Sequence, residues 1–459
     1  MLDVGSLALL QQAVGYLDKG FSELPYFQEE DGAGMDEVLL VVAARMLDNY
    51  PYPHPLYAGQ MIKPPHPVAR LAYTLALWLN PNNHALDGGR ASSAMEQEAV
   101  TEIALMFGWE KYLGHLCGGG TMANLEAIWI ANQIHPGKKV VASQQAHYTH
   151  RRIAGVLQVP FQEVPCDQQA RLDIRQLESI LESGAVGTVI ATIGSTATGS
   201  VDPLLVLLEL QETYGFRLHA DAAYGGYFTL VDHLRPDTRE SYDNLACVDS
   251  IAIDPHKHGL QPYGCGCILF RDPGVAALYQ HTSPYTYFTS QAPHLGEISM
   301  ECSRPGASAV ALWATQRLLP LVRGGAFAAR LEKSRRAALR LAGNIAADAR
   351  WLLAVEPELD IVTWAPRGTS ATEISRLSRA IFSAAALADL HLAVVSVPAS
   401  LLESTWHDVV WDQDDVVCLR SCLMKPEHLD WVERIWHALN KAADQVLASA
   451  GNPTAARES

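Results

Sequence analysis

Short, almost wholly apolar segments alternate with helical stretches through the middle of this chain of 459 residues. Five apolar segments, each bounded by glycine, proline or polar residues, are predicted to be buried β-strands: 139–143, 187–192, 217–221, 250–254 and 267–270. Stretches with apolar residues at helical spacing lie between several of these strands, as at 121–134 and 203–214. This alternation predicts a mainly parallel sheet covered by helices on both faces.

The flanking regions have different patterns. Residues 1–50 carry apolar side chains at helical spacing, at Leu7, Leu10, Val14 and Leu17 and again at Val38, Leu39, Val42 and Met46. Beyond Gly324-Gly325 a long helical run at 327–347 is followed by an apolar segment at 359–364, a helix near 373–386, a strand at 416–422 and a helix from Glu427. We therefore predict an N-terminal helical segment (1–55), a large α/β domain (56–325) and a smaller C-terminal α/β domain (326–459).

Composition restricts the partners and the compartment. The 50 acidic residues exceed the 34 Lys and Arg residues, giving a net charge of −16, which disfavours nucleic acid and anionic membrane surfaces as partners. The N-terminus lacks the pattern of a signal peptide, and no apolar run approaches the ~20 residues that span a bilayer. The eight cysteines are scattered, and Cys265-Gly-Cys267 lacks a second pair to complete a metal site. We expect reduced thiols, no metal and a cytoplasmic location.

A glycine turn precedes the predicted helix at 121–134. Gly118-Gly119-Gly120 would expose backbone N–H groups at the positive end of the helix dipole, a favourable arrangement for an anion. Thr121 would cap this helix and donate its hydroxyl to a phosphate. Taken alone, such a turn is more often an ordinary connection between two elements.

Two charged residues follow the ends of neighbouring predicted strands. Asp221 ends one strand, where ligands bind in open α/β sheets, and there it would keep a pyridine nitrogen protonated. Lys257 lies in a loop rich in His, Pro and Gly after the next strand, where a desolvated amine would form an imine. The alternatives are an aspartate that caps a turn and a surface lysine.

These features together resemble the fold-type I pyridoxal-phosphate enzymes, and within them the group II amino-acid decarboxylases. The stretches 219–226 and 250–271 are especially similar to the archaeal-type tyrosine/aspartate decarboxylases, and the resemblance extends from Tyr52 to Arg420. It implies a large domain with a mainly parallel seven-stranded sheet, a smaller C-terminal α/β domain, bound pyridoxal 5'-phosphate and a homodimer.

The resemblance also implies roles for individual residues. Lys257 would carry the cofactor as a Schiff base, Asp221 would pair with its ring nitrogen, and Ala223 and His147 would pack on opposite faces of its ring. Gly120, Thr121 and His256 would contact the phosphate, and Thr196 would lie near the ring oxygen. Arg420 would bind the substrate carboxylate, and His54 and Tyr57 would lie in a turn that faces the substrate. A buried structural histidine and a surface ion pair are the alternatives for His147 and Arg420.

The predicted reaction is decarboxylation of an L-amino acid of the tyrosine, aspartate or glutamate type. Tyr285 or Tyr287, in an aromatic loop, would protonate the α-carbon of the product. A retro-aldol lyase and an aminotransferase would use the same Lys257 and Asp221 and differ in their products. A non-enzymatic binding protein is a further alternative, which the presence of Lys257, Asp221 and His147 disfavours.

Overall fold

The structure is a computed structural model that describes residues 3–25, 32–85, 88–279 and 295–450. Its α-helices are α1 (Val4–Gly20), α2 (Met35–Met46), α3 (Pro67–Leu77), α4 (Arg90–Met106), α5 (Gly120–Ile134), α6 (Thr149–Leu157), α7 (Ile174–Leu181), α8 (Leu204–Tyr214), α9 (Pro236–Asp243), α10 (Ala276–Tyr279), α11 (Gly306–Leu318), α12 (Ala326–Ala347), α13 (Ala371–Leu387), α14 (Ala399–Leu402) and α15 (His428–Ala450). Short 3-10 helices lie at Gly226–Leu230, Leu245–Cys247, Pro273–Val275 and Leu295–Glu297.

The strands are β1 (Leu113–Cys117), β2 (Lys139–Ser143), β3 (Phe161–Val164), β4 (Val186–Thr192), β5 (Arg217–Asp221), β6 (Ser250–Ile253), β7 (Gly266–Phe270), β8 (Trp351–Leu353), β9 (Ile361–Pro366), β10 (Ala393–Pro398) and β11 (Asp415–Cys422). They form two sheets in the described part of the chain, with the orders β1-β7-β6-β5-β4-β2-β3 and β10-β11-β9-β8.

The large sheet confirms the predicted fold class. It has seven strands, and its pairs are parallel except for the two that involve β7. All seven residues of β4 are buried, since helices cover both faces of the sheet, and the five predicted strands correspond to β2, β4, β5, β6 and β7. The sequence pattern missed β1 and β3. Gly114 and His115 interrupt the apolar run of β1, and β3 is an edge strand with polar residues in its middle.

The small sheet is antiparallel and lies after α12 in the chain. The predicted helices and strands of this region correspond to α12, β9, α13, β11 and α15, whereas β8 and β10 were missed. β8 has only three residues, and the middle of β10 is partly exposed, so neither shows a strong apolar pattern.

Contacts between the two sheets position the site described below. The buried Arg171, beyond β3, pairs with Glu358, which precedes β9, with an N–O distance of 2.7 Å. Thr363 of β9 donates its hydroxyl to the carbonyl of Ala197 at 2.7 Å. Because these contacts are buried, they hold the small sheet against the loop that follows β4.

The segment after residue 56 runs beside the small sheet. Tyr57 forms a parallel bridge with His391, and the carbonyl of Ala58 accepts a hydrogen bond from the N–H of Cys422 at 2.8 Å. The domain boundaries predicted at residues 55 and 325 stay predictions. No described residue of α1 or α2 is buried. Among the residues that the structure describes, no helix is long and apolar enough to cross a membrane.

Candidate active site

A cavity of about 490 Å³ opens beyond the carboxyl ends of β4, β5 and β6, beside the turn between β1 and α5. Its lining includes every residue that was predicted to bind the cofactor: Gly120, Thr121, His147, Thr196, Asp221, Ala223, His256 and Lys257. Parallel strands bring these residues together because their carboxyl ends share one edge of the sheet.

The glycine turn forms one wall of this cavity and requires glycine for steric reasons. Gly119 has φ +144°, a conformation that residues with a side chain rarely adopt. On β7, a Cβ added to Gly266 would lie 2.5 Å from the Cα of Gly119. The Gly118 N–H donates to the carboxylate of Glu301 at 2.8 Å, whereas the first N–H groups of α5 have no partner within the helix.

Asp221 lies at the end of β5 and is buried, and a histidine side chain is hydrogen-bonded to it. Nε2 of His150, on α6, donates to Oδ2 of Asp221 at 2.9 Å, and the N–H of Ala223 donates to Oδ1 at 3.2 Å. Burial by itself raises the pKa of Asp221, but the His150 hydrogen bond and nearby positive charges, including that of Lys257, lower it below its usual range. The carboxylate is therefore anionic at neutral pH.

Lys257 follows β6 and contacts a second buried carboxylate. Its Nζ lies 3.1 Å from Oδ2 of Asp254, and its backbone N–H donates to the Asp254 carbonyl at 2.9 Å. The ring of His256 bonds the carbonyl of Cys265 through Nδ1 at 2.8 Å, and burial lowers the pKa of this histidine. The lysine side chain is 21% exposed, so its amine is accessible from the cavity.

His147 lies at the start of α6 with its tautomer defined by local hydrogen bonds. The backbone N–H of Thr149 donates to Nδ1 of His147 at 3.3 Å, and the Thr149 hydroxyl lies 2.7 Å from the same atom. Because Nδ1 accepts these bonds, the ring proton resides on Nε2. Burial lowers the pKa of His147, so a neutral ring is favoured.

Arg420 lies on β11, and its present partners include the loop that carries Thr196. It donates to the Thr196 carbonyl and to Oε1 of Gln60, both at 2.8 Å. Its Nε is buried and has no hydrogen-bond partner among the described residues. Thr196 lines the cavity, whereas Arg420 contacts Thr196 without belonging to the described lining. The predicted role of Arg420 with a substrate carboxylate stays a prediction.

The predicted substrate turn lies outside the cavity lining of this chain. His54 is exposed, and its ring contacts the ring of Trp431 edge to face at 5.0 Å. Tyr57 is buried against Tyr52 and His391. Their predicted contact with substrate stays a prediction. Tyr285 and Tyr287 lie outside the described residues.

The Pyridoxal-dependent decarboxylase conserved domain matches residues 122–365, more than half of the chain. A probable L-tyrosine/L-aspartate decarboxylase of Methanothermobacter thermautotrophicus is 31% identical over 317 residues, which cover 67% of this chain and 82% of that protein. The L-tyrosine decarboxylase of Enterococcus faecium is 27% identical, covering 58% of this chain and 60% of that protein. The chain belongs to the pyridoxal-dependent decarboxylase family.

A solved structure shares the overall fold of this decarboxylase. The Oryza sativa TDC, crystallised with PLP and tryptamine, superimposes with a TM-score of 0.77, covering 96% of this chain and 94% of that one at 17% identity. At this identity the comparison establishes the fold alone. The family match establishes that the chain is a pyridoxal-phosphate-dependent amino-acid carboxy-lyase, in agreement with the sequence-based prediction.

The chemistry of the cavity fits this cofactor. A buried carboxylate (Asp221), an accessible primary amine (Lys257) and a helix N-terminus (α5) correspond to the three groups that a pyridine nitrogen, an aldehyde and a phosphate require. Gly120 must lack a side chain at this point of the cavity, since a Cβ there would lie only 2.8 Å from Oδ2 of Asp254.

The sequence interpretation missed three groups in the decarboxylase cavity or next to it. His150 was missed because its partner Asp221 lies 71 residues away. Asp254 was recognised only as the end of a strand, although a carboxylate three residues before a candidate catalytic lysine was a usable signal. Glu301 had no local signal, since it reaches the glycine turn from 183 residues away.

Proposed function

We propose that this decarboxylase acts on L-tyrosine, with Lys257 as the residue that binds the cofactor covalently. We infer the substrate from the charged residues that line the cavity. Among the described residues that line it, Lys257 is the only lysine or arginine, whereas Asp221, Asp254 and Glu301 are acidic. With Lys257 engaged by the cofactor, no lysine or arginine of the described lining remains to pair with the side-chain carboxylate of an acidic substrate, whereas a phenol needs no such partner.

The relatives allow this choice, and the adjoining sequence supports it. L-tyrosine is named for both the Methanothermobacter and the Enterococcus proteins, whereas L-aspartate is named beside it for the first and by itself for a Thermococcus kodakarensis relative that is 28% identical. The segment 280–294 contains Tyr285, Tyr287 and Phe288 but no lysine or arginine. Its composition therefore suits a phenol better than an acidic side chain.

The predicted site residues and His150 then have the following roles. When bound, pyridoxal phosphate supplies the electron sink that accepts the pair released as carbon dioxide leaves. Asp221 would keep the proton on the ring nitrogen, and His150 would hold the Asp221 carboxylate in place. Thr121, His256 and the N–H groups of the glycine turn would hold the phosphate, and Thr196 would lie near the ring oxygen.

The remaining tasks concern the ring faces and the substrate. Ala223 would pack against one face of the ring and His147, whose pKa is lowered by burial, against the other. Arg420 would bind the substrate carboxylate, with His54 and Tyr57 on the substrate side. A tyrosine of the 280–294 segment, Tyr285 or Tyr287, protonates the α-carbon.

We also include a homodimer in this proposal. A 12-residue helix such as α2 is marginal in water without tertiary contacts, yet none of its residues is buried. Its exposed apolar residues include Val38, Leu39, Leu40, Val41, Val42 and Met46. A second copy of the chain would cover them in a two-fold interface, and sedimentation at equilibrium should give twice the mass of the chain.

We also propose that the protein functions in a reducing compartment such as the cytoplasm. All eight cysteines lie in the described part of the chain, and all are free thiols. A chain that retains free thiols fits a reducing environment.

The decisive experiment measures carbon dioxide release from a panel of common L-amino acids. We expect the highest kcat/KM with L-tyrosine, and values at least about tenfold lower with L-aspartate and L-glutamate, since unpaired charge costs more than 1.4 kcal/mol. Lys257→Ala should abolish both carbon dioxide release and the visible absorbance of bound cofactor. Lys138→Ala, which changes an exposed lysine, should retain both. A preference for an acidic substrate would refute the choice of L-tyrosine, and turnover by Lys257→Ala would refute the role of that lysine.

A further inference from the structure

A second pocket, of about 230 Å³, lies between the start of α3, the helix α12 and the start of α15. Four basic side chains line it: Lys63, Arg70, Arg330 and Lys425. We name these four residues and the space between them the basic pocket. Five prolines form rigid parts of its wall: Pro53, Pro64, Pro65, Pro67 and Pro426.

The cations of the basic pocket lack acidic partners. None of the four forms an ion pair within 4 Å with a described residue, although the chain carries a net charge of −16. Nε of Arg70 and Nε of Arg330 are buried and have no hydrogen-bond partner among the described residues. Such buried donors are destabilising unless a ligand satisfies them.

Neutral oxygen atoms accept hydrogen bonds from only some of the N–H donors of the two lysines. Nζ of Lys63 reaches the carbonyl of Met424 at a long distance of 3.4 Å. Nζ of Lys425 donates to the carbonyl of Tyr57 at 2.5 Å and lies over the Tyr57 ring. Each ammonium group has three donors, so both lysines retain unused hydrogen-bonding capacity.

The nearby acids do not neutralise this charge. Glu427 is exposed on the rim of the basic pocket. Asp360 is buried and engaged elsewhere, since it accepts a hydrogen bond from the Tyr224 hydroxyl at 2.6 Å and lies 3.3 Å from the ring of His258. Four cations therefore face a small space with one exposed acid at its edge.

We propose that the basic pocket binds a small phosphate-type oxyanion. A tetrahedral oxyanion offers acceptors in several directions, which suits two guanidinium groups and two ammonium groups that converge on one small space. The pocket is less than half the size of the cofactor cavity, and the two are lined by different residues, so this site is distinct from the one that holds the cofactor phosphate.

The protonation of the two lysines supports an anionic ligand. Burial lowers the pKa of Lys63 to about 7, with Asp360 and Glu427 opposing and Arg330 and Lys425 adding to the effect. Burial likewise lowers the pKa of Lys425 to about 8, and Glu427 opposes it. Burial, with Arg330 and Arg70, lowers the pKa of His66. An anion between these groups favours their charged forms, so its binding should be accompanied by proton uptake near pH 7.5.

The test is calorimetric titration of inorganic phosphate into the holoenzyme, whose cofactor site is already filled. We expect saturable binding, and Arg330→Gln should weaken it at least about tenfold because a hydrogen bond to a charged group is lost. Arg330→Lys should retain part of the affinity. Arg336→Gln changes an exposed arginine of the same helix and should leave the affinity unchanged. Titrations in buffers of different ionisation enthalpy should report proton uptake, reduced in Lys63→Met.

Other outcomes would overturn the proposal. The absence of saturable phosphate binding in the wild-type holoenzyme would refute it. Equal affinity in Arg330→Gln and wild type would show that phosphate binds elsewhere, provided that both proteins melt at similar temperatures. If malonate binds as tightly as phosphate, the pocket selects a dicarboxylate and the phosphate assignment is wrong. If Arg330→Gln halves the sedimenting mass and no anion binds, the cations serve a contact between subunits. None of these results depends on which amino acid is decarboxylated.

Discussion

Nε2 of His150 lies 2.9 Å from Oδ2 of Asp221, and both side chains are buried. This contact joins the start of α6 to the end of β5 at the position where the cofactor nitrogen must be held. Nδ1 of His150 has no partner among the described residues, so a neutral ring whose proton resides on Nε2 avoids an unsatisfied buried donor. His150 is therefore the residue that orients the Asp221 carboxylate.

Replacing His150 by Phe should weaken cofactor binding by about ten- to a hundredfold, since a hydrogen bond to a buried charged group is worth about 1.5–3 kcal/mol. Without that bond, burial should raise the pKa of Asp221. The measurements are the equilibrium affinity of the apoenzyme for cofactor and the pH titration of the visible absorbance of the holoenzyme.

His150→Gln is the matched variant, because its side-chain amide can donate to Asp221. It should restore part of the cofactor affinity and shift the pH titration toward that of the wild type. Unchanged affinity and titration in His150→Phe would show that the histidine only fills space.

Gly266→Ala should damage the phosphate side of the cavity without altering any polar group. The new Cβ would lie 2.5 Å from the Cα of Gly119, which is backbone, so the glycine turn must shift. We expect a loss of about 1–3 kcal/mol in the free energy of unfolding together with weaker cofactor binding. Thermal melts of the apoenzyme and cofactor titrations would measure the two effects.

Gly343→Ala serves as the control for that substitution. Gly343 is exposed on α12, and a Cβ there meets no atom within 4 Å. This change should stabilise the helix by up to about 1 kcal/mol and leave cofactor affinity unchanged. A Gly266→Ala protein with wild-type affinity would contradict the steric argument.

Lys63 should make stability depend on pH above neutrality. Its pKa is about 7 in the folded chain, against 10.5 for a free lysine. Between these values the unfolded chain binds the proton that the folded chain has lost, so the free energy of unfolding should rise with pH from about 7 to about 10. The contribution of this one group is at most about 1.4 kcal/mol per pH unit. Melting curves in phosphate-free buffers would measure it.

Lys63→Met should remove that contribution, so the difference in stability between variant and wild type should change across this pH range. Lys138→Met, at an exposed position, should not change the pH dependence. Parallel stability profiles for Lys63→Met and wild type would mean that Lys63 remains charged in the folded state.

The proton donor predicted from the sequence is testable by substitution alone. Tyr285→Phe or Tyr287→Phe, whichever removes the donor, should lower kcat by about a hundredfold or more while leaving cofactor affinity unchanged, because general-acid catalysis contributes about 10²–10⁴-fold. Single-turnover measurements with L-tyrosine would identify the residue. A double variant with wild-type decarboxylation would eliminate both.

Local patterns predicted much of the fold and the centre of the site. Buried strands are recognisable in the sequence as short apolar runs, which is why β2, β4, β5, β6 and β7 were predicted. The apolar run of β1 is interrupted, so this strand was not predicted. Asp221 and Lys257 were found because each follows a strand end, and the carboxyl ends of parallel strands share one edge. The identity of the reaction came from resemblance to a family, since the chemistry of a lysine and an aspartate serves several reactions equally well.

Tertiary structure alone decided the contacts between residues far apart in the chain. His150 and Asp221 are 71 residues apart, and Lys63 of the basic pocket donates to a carbonyl 361 residues away. Neither pairing leaves a periodic signal in the sequence. The spacing of apolar residues indicates which face of an element is buried, but not which residues pack against that face. The sequence determined where the strands end and which reactive groups follow them. Only packing determined which distant side chains orient those groups and where the four basic side chains of the basic pocket converge.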